Sequence, residues 1–108
     1  MSLDVYLFCG TCGSSLIDFN VTHNLRRMAS EAGCYEPLWR APESGITTAG
    51  QLIAPLRAAL FAMKSDPDRF LPLNPPNGWG TYDGFVDALG RLLAECERSP
   101  EASVETSR

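Results

Sequence analysis

The sequence is poor in several residue types and in long apolar runs, and each deficit excludes a class of function. No apolar run approaches the roughly 20 residues that a membrane span requires, and no cationic leader opens the chain, so we expect a cytoplasmic protein. The densest basic cluster is the pair Arg26-Arg27 in a chain of net charge −4. That cluster is too small to displace the counterions of a duplex. We therefore expect neither a membrane nor duplex nucleic acid as a partner.

Cysteine is also scarce, with four residues in the chain. Cys9 and Cys12 bracket a tight turn and look like half of a zinc ribbon. No second close pair supplies further ligands, and Cys96 falls on the apolar stripe of a helix, where a thiol acts as a small hydrophobic group. A redox dithiol usually lies at a helix N-terminus, whereas this pair brackets a hairpin turn. We predict no structural zinc, no disulfide between Cys9 and Cys12, and no cofactor.

What is present is typical of one globular domain. The chain has 108 residues, of which 44% are hydrophobic and 20% charged, a balance found in ordinary folded proteins. We expect a single compact domain over residues 1–108. Apolar residues alternate over residues 3–9 and again over 15–21, around a glycine-containing turn, which predicts a β-hairpin. Residues 100–108 are expected to form either an edge strand beside this hairpin or a frayed tail.

Helical spacing predicts about three helices packed on the hairpin, so the fold class is α+β. The first helix is capped by Thr22 or Asn24 and ends at Gly33. The second begins at Thr47, with Pro55 either kinking it or dividing it in two. The third begins after Thr81 and carries the clearest apolar stripe. Residues 34–45 are expected to form a loop that packs down on the core. The predicted core residues are Leu3, Val5, Leu7, Ile17, Phe19, Leu25, Met28, Leu56, Leu60, Phe85, Leu89 and Leu92.

Polar and aromatic side chains recur where one predicted element ends and the next begins. His23, the single histidine, stands between a strand and a helix, where free backbone N–H groups suit an anion. Trp39 and Arg40 pair an aromatic plane with a guanidinium fork, and within residues 74–82 two glycines flank Trp79 before a helix start. Each feature also has a structural interpretation, as a capping cluster or a core plug. We hypothesise that seven residues converge on one pocket: His23, Asn24, Trp39, Arg40, Asn77, Trp79 and Tyr82.

In this hypothesis each side chain has a defined role toward a ligand. Arg40 pairs with a phosphate or carboxylate group, and Trp39 or Trp79 stacks on a ring. His23 and Asn24 donate hydrogen bonds. No nucleophile, metal cluster or carboxylate pair accompanies His23, so the residues fit a binding pocket better than a catalytic site.

Several motifs, taken together, resemble a known family. Residues 20–25 fit the pattern N-x-T-H-N-L, and residues 74–82 fit N-P-x-N-G-W-G-x-Y. With residues 32–35 and 38–40 between them, these motifs resemble a family of short uncharacterised proteins found in bacteria, phages and prophages. The family's L-W-R-P pattern is interrupted here by Ala41. The resemblance covers nearly the whole chain and implies an association with phages, without an established activity.

The phage association shapes the functional hypotheses. The first is a non-enzymatic binder that sequesters a nucleotide-like or anionic metabolite in phage–host conflict. The alternative is a protein-interaction module that inhibits a host protein through an exposed sheet edge or helix face. The third is a small enzyme that uses His23. An exposed edge strand would also allow a homodimer to form.

Overall fold

The computed structural model describes residues 2–10, 13–76, 78 and 80–108, which contain a three-stranded antiparallel sheet and five α-helices. The strands are β1 (Ser2–Phe8), β2 (Ser15–Thr22) and β3 (Ser103–Ser107), in the order β2-β1-β3. The predicted hairpin and its C-terminal edge strand are therefore confirmed, and the frayed-tail alternative is wrong. β3 forms because residues 103–107 pair with residues 4–8 of β1.

Alternation along β1 explains how the sheet is covered. Leu3, Val5 and Leu7 are completely buried, whereas Tyr6 and Phe8, on the opposite face, remain partly exposed. Because successive strand residues point to opposite faces, one face of the sheet meets the core. β2 and β3 both run antiparallel to β1. Their C-terminal ends therefore lie at the same end of the sheet, on either side of the start of β1, although they are distant in sequence.

The helices supply the rest of the core. α3 packs against α5, and α5 also packs against β2. Leu89 and Leu92 of α5 are completely buried, as predicted. Of the predicted core residues, Ile17 alone is only partly buried, and it packs against the core. The helices are α1 (Arg26–Ala32), α2 (Tyr35–Trp39), α3 (Gly50–Ser65), α4 (Pro67–Phe70) and α5 (Tyr82–Arg98), with 3₁₀ turns at His23–Leu25 and Leu71–Leu73.

The second predicted helix differs in detail from α3. It begins at Gly50 and not at Thr47, because Gln51 Oε1 accepts hydrogen bonds from the backbone N–H groups of Thr47 and Thr48, at 2.6 and 2.9 Å. The division into two helices at Pro55 is wrong, since α3 is continuous through it. A proline in the second turn removes one backbone hydrogen bond, while the buried stripe of α3 continues on both sides.

The stretch predicted as a loop contains α2. Leu38 and Trp39 are buried there, so the expected packing against the core is present. The loop prediction is wrong for Tyr35–Trp39, which form a short helix. Pro37 lies in its first turn, where the missing N–H has no intrahelical partner to lose. In the described part of the chain, no helix is long and apolar enough to cross a bilayer.

Candidate functional site

An open cleft of about 530 Å³ lies at the end of the sheet where β2 and β3 terminate. Its walls come from the residues that follow β2, from α2 with the residue after it, and from the residue after β3. Four of the seven predicted site residues therefore lie in one place: His23, Asn24, Trp39 and Arg40. Among the described residues, the lining consists of Thr22, His23, Asn24, Arg26, Tyr35, Trp39, Arg40 and Arg108.

Tyr82, another predicted site residue, is not among the residues that line the cleft. The Tyr82 hydroxyl donates a hydrogen bond of 2.6 Å to the backbone carbonyl of Met63, which ties the start of α5 to the end of α3. The backbone N–H of Tyr82 donates to Asn74 Oδ1 at 2.7 Å. Both contacts indicate a structural role for Tyr82. Asn77 and Trp79 lie outside the described residues, so their place in the pocket stays a prediction.

His23 and Trp39 form a directed pair within the cleft. The Trp39 Nε1–H donates a hydrogen bond of 2.8 Å to Nδ1 of His23. Nδ1 can accept only when it carries no proton, so this contact assigns the neutral imidazole with its proton on Nε2. Burial and the positive charge of Arg26 lower the pKa of His23. His23 therefore offers the cleft a neutral N–H donor at physiological pH.

The aromatic surface of the cleft belongs to Tyr35 and not to Trp39. The Trp39 side chain is only 2% exposed, and Tyr35 stacks on its ring with a centroid separation of 5.7 Å and an interplanar angle of 12°. The indole is thus not available to stack on a ligand. Tyr35 remains partly exposed and lines the cleft, so its ring is the surface that a planar group could contact.

The charge of the cleft is positive. Arg26, Arg40 and Arg108 line it, and no aspartate or glutamate among the described residues does. Glu43 lies just outside the cleft, with its Oε1 3.1 Å from Arg108 Nη2 and its Oε2 3.8 Å from Arg40 Nε. A backbone hydrogen bond, followed by these two guanidinium groups, lowers the pKa of Glu43. Arg26 has no ion pair in the described part of the chain, and its Nε donates to the His23 carbonyl at 3.1 Å. The guanidinium groups therefore outnumber the one nearby carboxylate.

Sequence reasoning missed four of the lining residues: Thr22, Arg26, Tyr35 and Arg108. Tyr35 had a usable signal, because it precedes Trp39 by four residues and would share its face if the stretch were taken as helical. Arg108 had none. Its Nη1 donates at 3.0 Å to the carbonyl of Trp39, 69 residues away in sequence.

Two of the described cysteines are unreactive. Cys34 and Cys96 are buried, and burial raises the pKa of both thiols to about 12, so they stay protonated and inert. Cys9 is partly buried. Cys12 lies outside the described residues, so the predictions about this pair stay predictions. Among the residues that the structure describes, no three histidine, cysteine or carboxylate side chains form a group that could hold a metal.

Comparisons with protein-family models, with curated proteins and with solved structures found no match for this chain. The geometry and the charges of the cleft are therefore the main grounds for inferring a function.

Proposed function

We propose that this protein is a non-enzymatic binder of a small, anionic, nucleotide-like ligand, which it holds in the cleft between α2 and the ends of β2 and β3. One observation carries the proposal: three of the nine basic residues of a chain with net charge −4 line a single cleft, and no aspartate or glutamate among the described residues joins them. Guanidinium forks match phosphate and carboxylate groups with two parallel hydrogen bonds. The volume of about 530 Å³ falls among those of small-molecule sites.

The remaining lining supports a ligand that has a planar ring beside its anionic group. Tyr35 is already held parallel to Trp39, so its ring is oriented before a ligand arrives. Offset stacking on such a surface stabilises a bound aromatic ring by about 0.5–1.5 kcal/mol beyond the burial of its area. The N–H on Nε2 of His23 adds a neutral donor. A nucleotide has both parts, a flat base and an acceptor-rich phosphate.

The environment of His23 supports binding over catalysis. A histidine that acts as a general base in a hydrolase donates from Nδ1–H to a carboxylate, which stabilises the imidazolium that forms. Here Nδ1 accepts from the Trp39 indole, and the pKa of His23 is lowered. Protonation would cost this hydrogen bond. The arrangement therefore suits a fixed donor.

The resemblance to phage and prophage proteins suggests the biological use of such a binder. A protein that binds a nucleotide signal without converting it can lower the free concentration of that signal. Sequestration of a host signalling nucleotide is thus the role that we propose, and it depends on the resemblance as well as on the cleft.

Isothermal titration calorimetry with AMP, adenosine and inorganic phosphate as probes tests the proposal. AMP should bind more tightly than adenosine, because the nucleoside lacks the anionic group. Arg40→Ala and Arg26→Ala should each weaken AMP binding about tenfold or more, since a hydrogen bond to a charged group contributes about 1.5–3 kcal/mol.

Arg57→Ala is the matched control for this experiment. Arg57 forms an ion pair with Glu97, as Arg40 does with Glu43, but it does not line the cleft. It should bind AMP as the wild type does. The proposal fails if adenosine binds as well as AMP, or if Arg57→Ala weakens AMP binding as much as Arg40→Ala.

A different observation favours the protein-interaction module. The Phe61 side chain on α3 is 75% exposed, although it is a large aromatic group. If this surface binds a second copy of the chain, Phe61→Ser should convert a dimer to a monomer in sedimentation velocity at micromolar concentration. The cleft proposal instead expects Phe61→Ser to bind AMP normally.

A further inference from the structure

A second, shallower depression of about 280 Å³ adjoins the cleft. It is lined by Arg26, Arg27, Ser30 and Tyr35, so Arg26 and Tyr35 contribute to both spaces. As in the cleft, the polar lining side chains are donors and none is a carboxylate. The Tyr35 ring therefore stands between two positively charged depressions.

The geometry of α1 explains why two neighbouring arginines serve different spaces. Consecutive residues point about 100° apart around a helix of 3.6 residues per turn, so Arg26 reaches the shared wall while Arg27 lines only the second depression. Ser30 follows Arg27 by three residues and lies on the same face. Arg27 is exposed, and no carboxylate in the described residues pairs with it.

From this arrangement we infer that the ligand carries two separated anionic groups, one on each side of the ring that lies on Tyr35. Arg40 and Arg108 hold the first group in the cleft, Arg27 and Ser30 hold the second, and Arg26 lies between them. The inference builds on the proposed function, because it assumes that the cleft binds the first group. It narrows the ligand class to nucleotides with phosphates at two positions, such as bisphosphates or dinucleotides.

The experiment compares three adenine nucleotides by calorimetry: AMP, adenosine 3′,5′-bisphosphate, and ADP. The bisphosphate should bind at least about tenfold more tightly than AMP, equivalent to about 1.4 kcal/mol. Arg27→Ala should remove that advantage and leave AMP binding unchanged. ADP has the same number of phosphates in one chain, so its affinity should respond to Arg27→Ala less than that of the bisphosphate. Ser30→Ala should act in the same direction as Arg27→Ala, with a smaller effect.

The outcomes separate this inference from the proposed function. If AMP binds and Arg40→Ala weakens it, while Arg27→Ala changes neither AMP nor bisphosphate binding, the second subsite is wrong and the cleft proposal survives. If the bisphosphate and ADP bind with equal affinity, and Arg27→Ala lowers both affinities equally, the total charge of the nucleotide determines its affinity. The inference is then again wrong. If neither AMP nor the bisphosphate binds, both proposals fall. Thermal unfolding of each variant verifies that it is folded.

Discussion

The imidazole of His23 has one ring nitrogen occupied by the Trp39 indole and lines the cleft beside three guanidinium groups. The charged groups around it are Arg26, from the start of α1, Arg40 and Glu43, from the segment after α2, and Arg108, from the end of β3. Burial and the positive charge of Arg26 disfavour protonation of His23. At the scale of single residues, the histidine is thus a positioned donor whose protonation would disturb the cleft.

Replacing His23 with Asn should remove a pH-dependent part of the stability. The pKa of His23 is lowered from its ordinary value of 6.5, which the unfolded chain retains. Above that value both states are neutral and the contribution of the Trp39 contact is complete. As the pH falls below it, the unfolded state takes up the proton first, so the free energy of unfolding decreases. An asparagine carbonyl can accept from Trp39 without titrating.

Urea denaturation of the wild type and of His23→Asn, at a series of values from about pH 7 to about pH 5, measures this difference. The wild type should lose stability relative to the variant as the pH falls. A difference that stays constant over this range would contradict the assigned proton position. The carboxylates are shared by both proteins and cancel in the comparison.

At the scale of elements, Gly80 sets how closely the segment before α5 approaches the turn that carries His23. Its φ is +95°, and a Cβ there would lie 2.7 Å from Thr22 Cγ2 and 3.0 Å from Leu25 Cγ. Thr81 then caps α5, its hydroxyl accepting from the N–H of Gly84 at 3.1 Å. The approach of this segment to Thr22, which also lines the cleft, therefore depends on a close contact that only glycine permits.

Gly80→Ala should destabilise the protein more than Gly78→Ala does. Both glycines have positive φ, at +95° and +75°, but a Cβ at Gly78 would meet nothing within 4 Å. Left-handed strain costs about 1–2 kcal/mol in either variant, and overpacking adds about 1–3 kcal/mol at Gly80 alone. Chemical denaturation measures the two losses. Equal losses would show that the contact with Thr22 and Leu25 relaxes without cost.

At the scale of the whole molecule, the charge distribution is uneven. The chain is acidic overall, with thirteen carboxylate residues against nine basic ones. Four of the eight described arginines form ion pairs along exposed helix surfaces, such as Arg91 with Asp87 and Arg98 with Glu95. The cleft is therefore a local positive region on a negative molecule, and its attraction for an anion acts only over a short distance.

Raising the ionic strength should weaken AMP binding several-fold and leave adenosine binding nearly unchanged. The screening length falls from about 10 Å at 0.1 M salt to about 3 Å at 1 M, which reduces the attraction between exposed guanidinium groups and a phosphate. Calorimetric titrations of both probes at low and high sodium chloride measure the effect. Equal salt dependence for the two probes would show that the guanidinium groups do not contact the phosphate.

Elements whose causes are local can be predicted from the amino-acid sequence. Alternating Leu3, Val5 and Leu7 require a strand with one buried face, and Gly33 adopts the left-handed conformation, with φ of +90°, that ends α1. The stripe that includes Leu89 and Leu92 requires a helix with one face against the core. The amino-acid sequence also indicated that polar groups gather at element junctions. Four of the seven predicted site residues do line one cleft.

The other residues of that cleft are brought together by contacts between distant parts of the chain, which the local sequence pattern does not specify. A five-residue helix such as α2 is not stable alone, so its formation depends on the burial of Leu38 and Trp39. The stacked position of Tyr35 on Trp39 depends on the same burial. Arg108 reaches the carbonyl of Trp39 because β2 and β3 both run antiparallel to β1 and terminate at the same end of the sheet. No local pattern encodes that meeting, since strand pairing across the whole chain produces it.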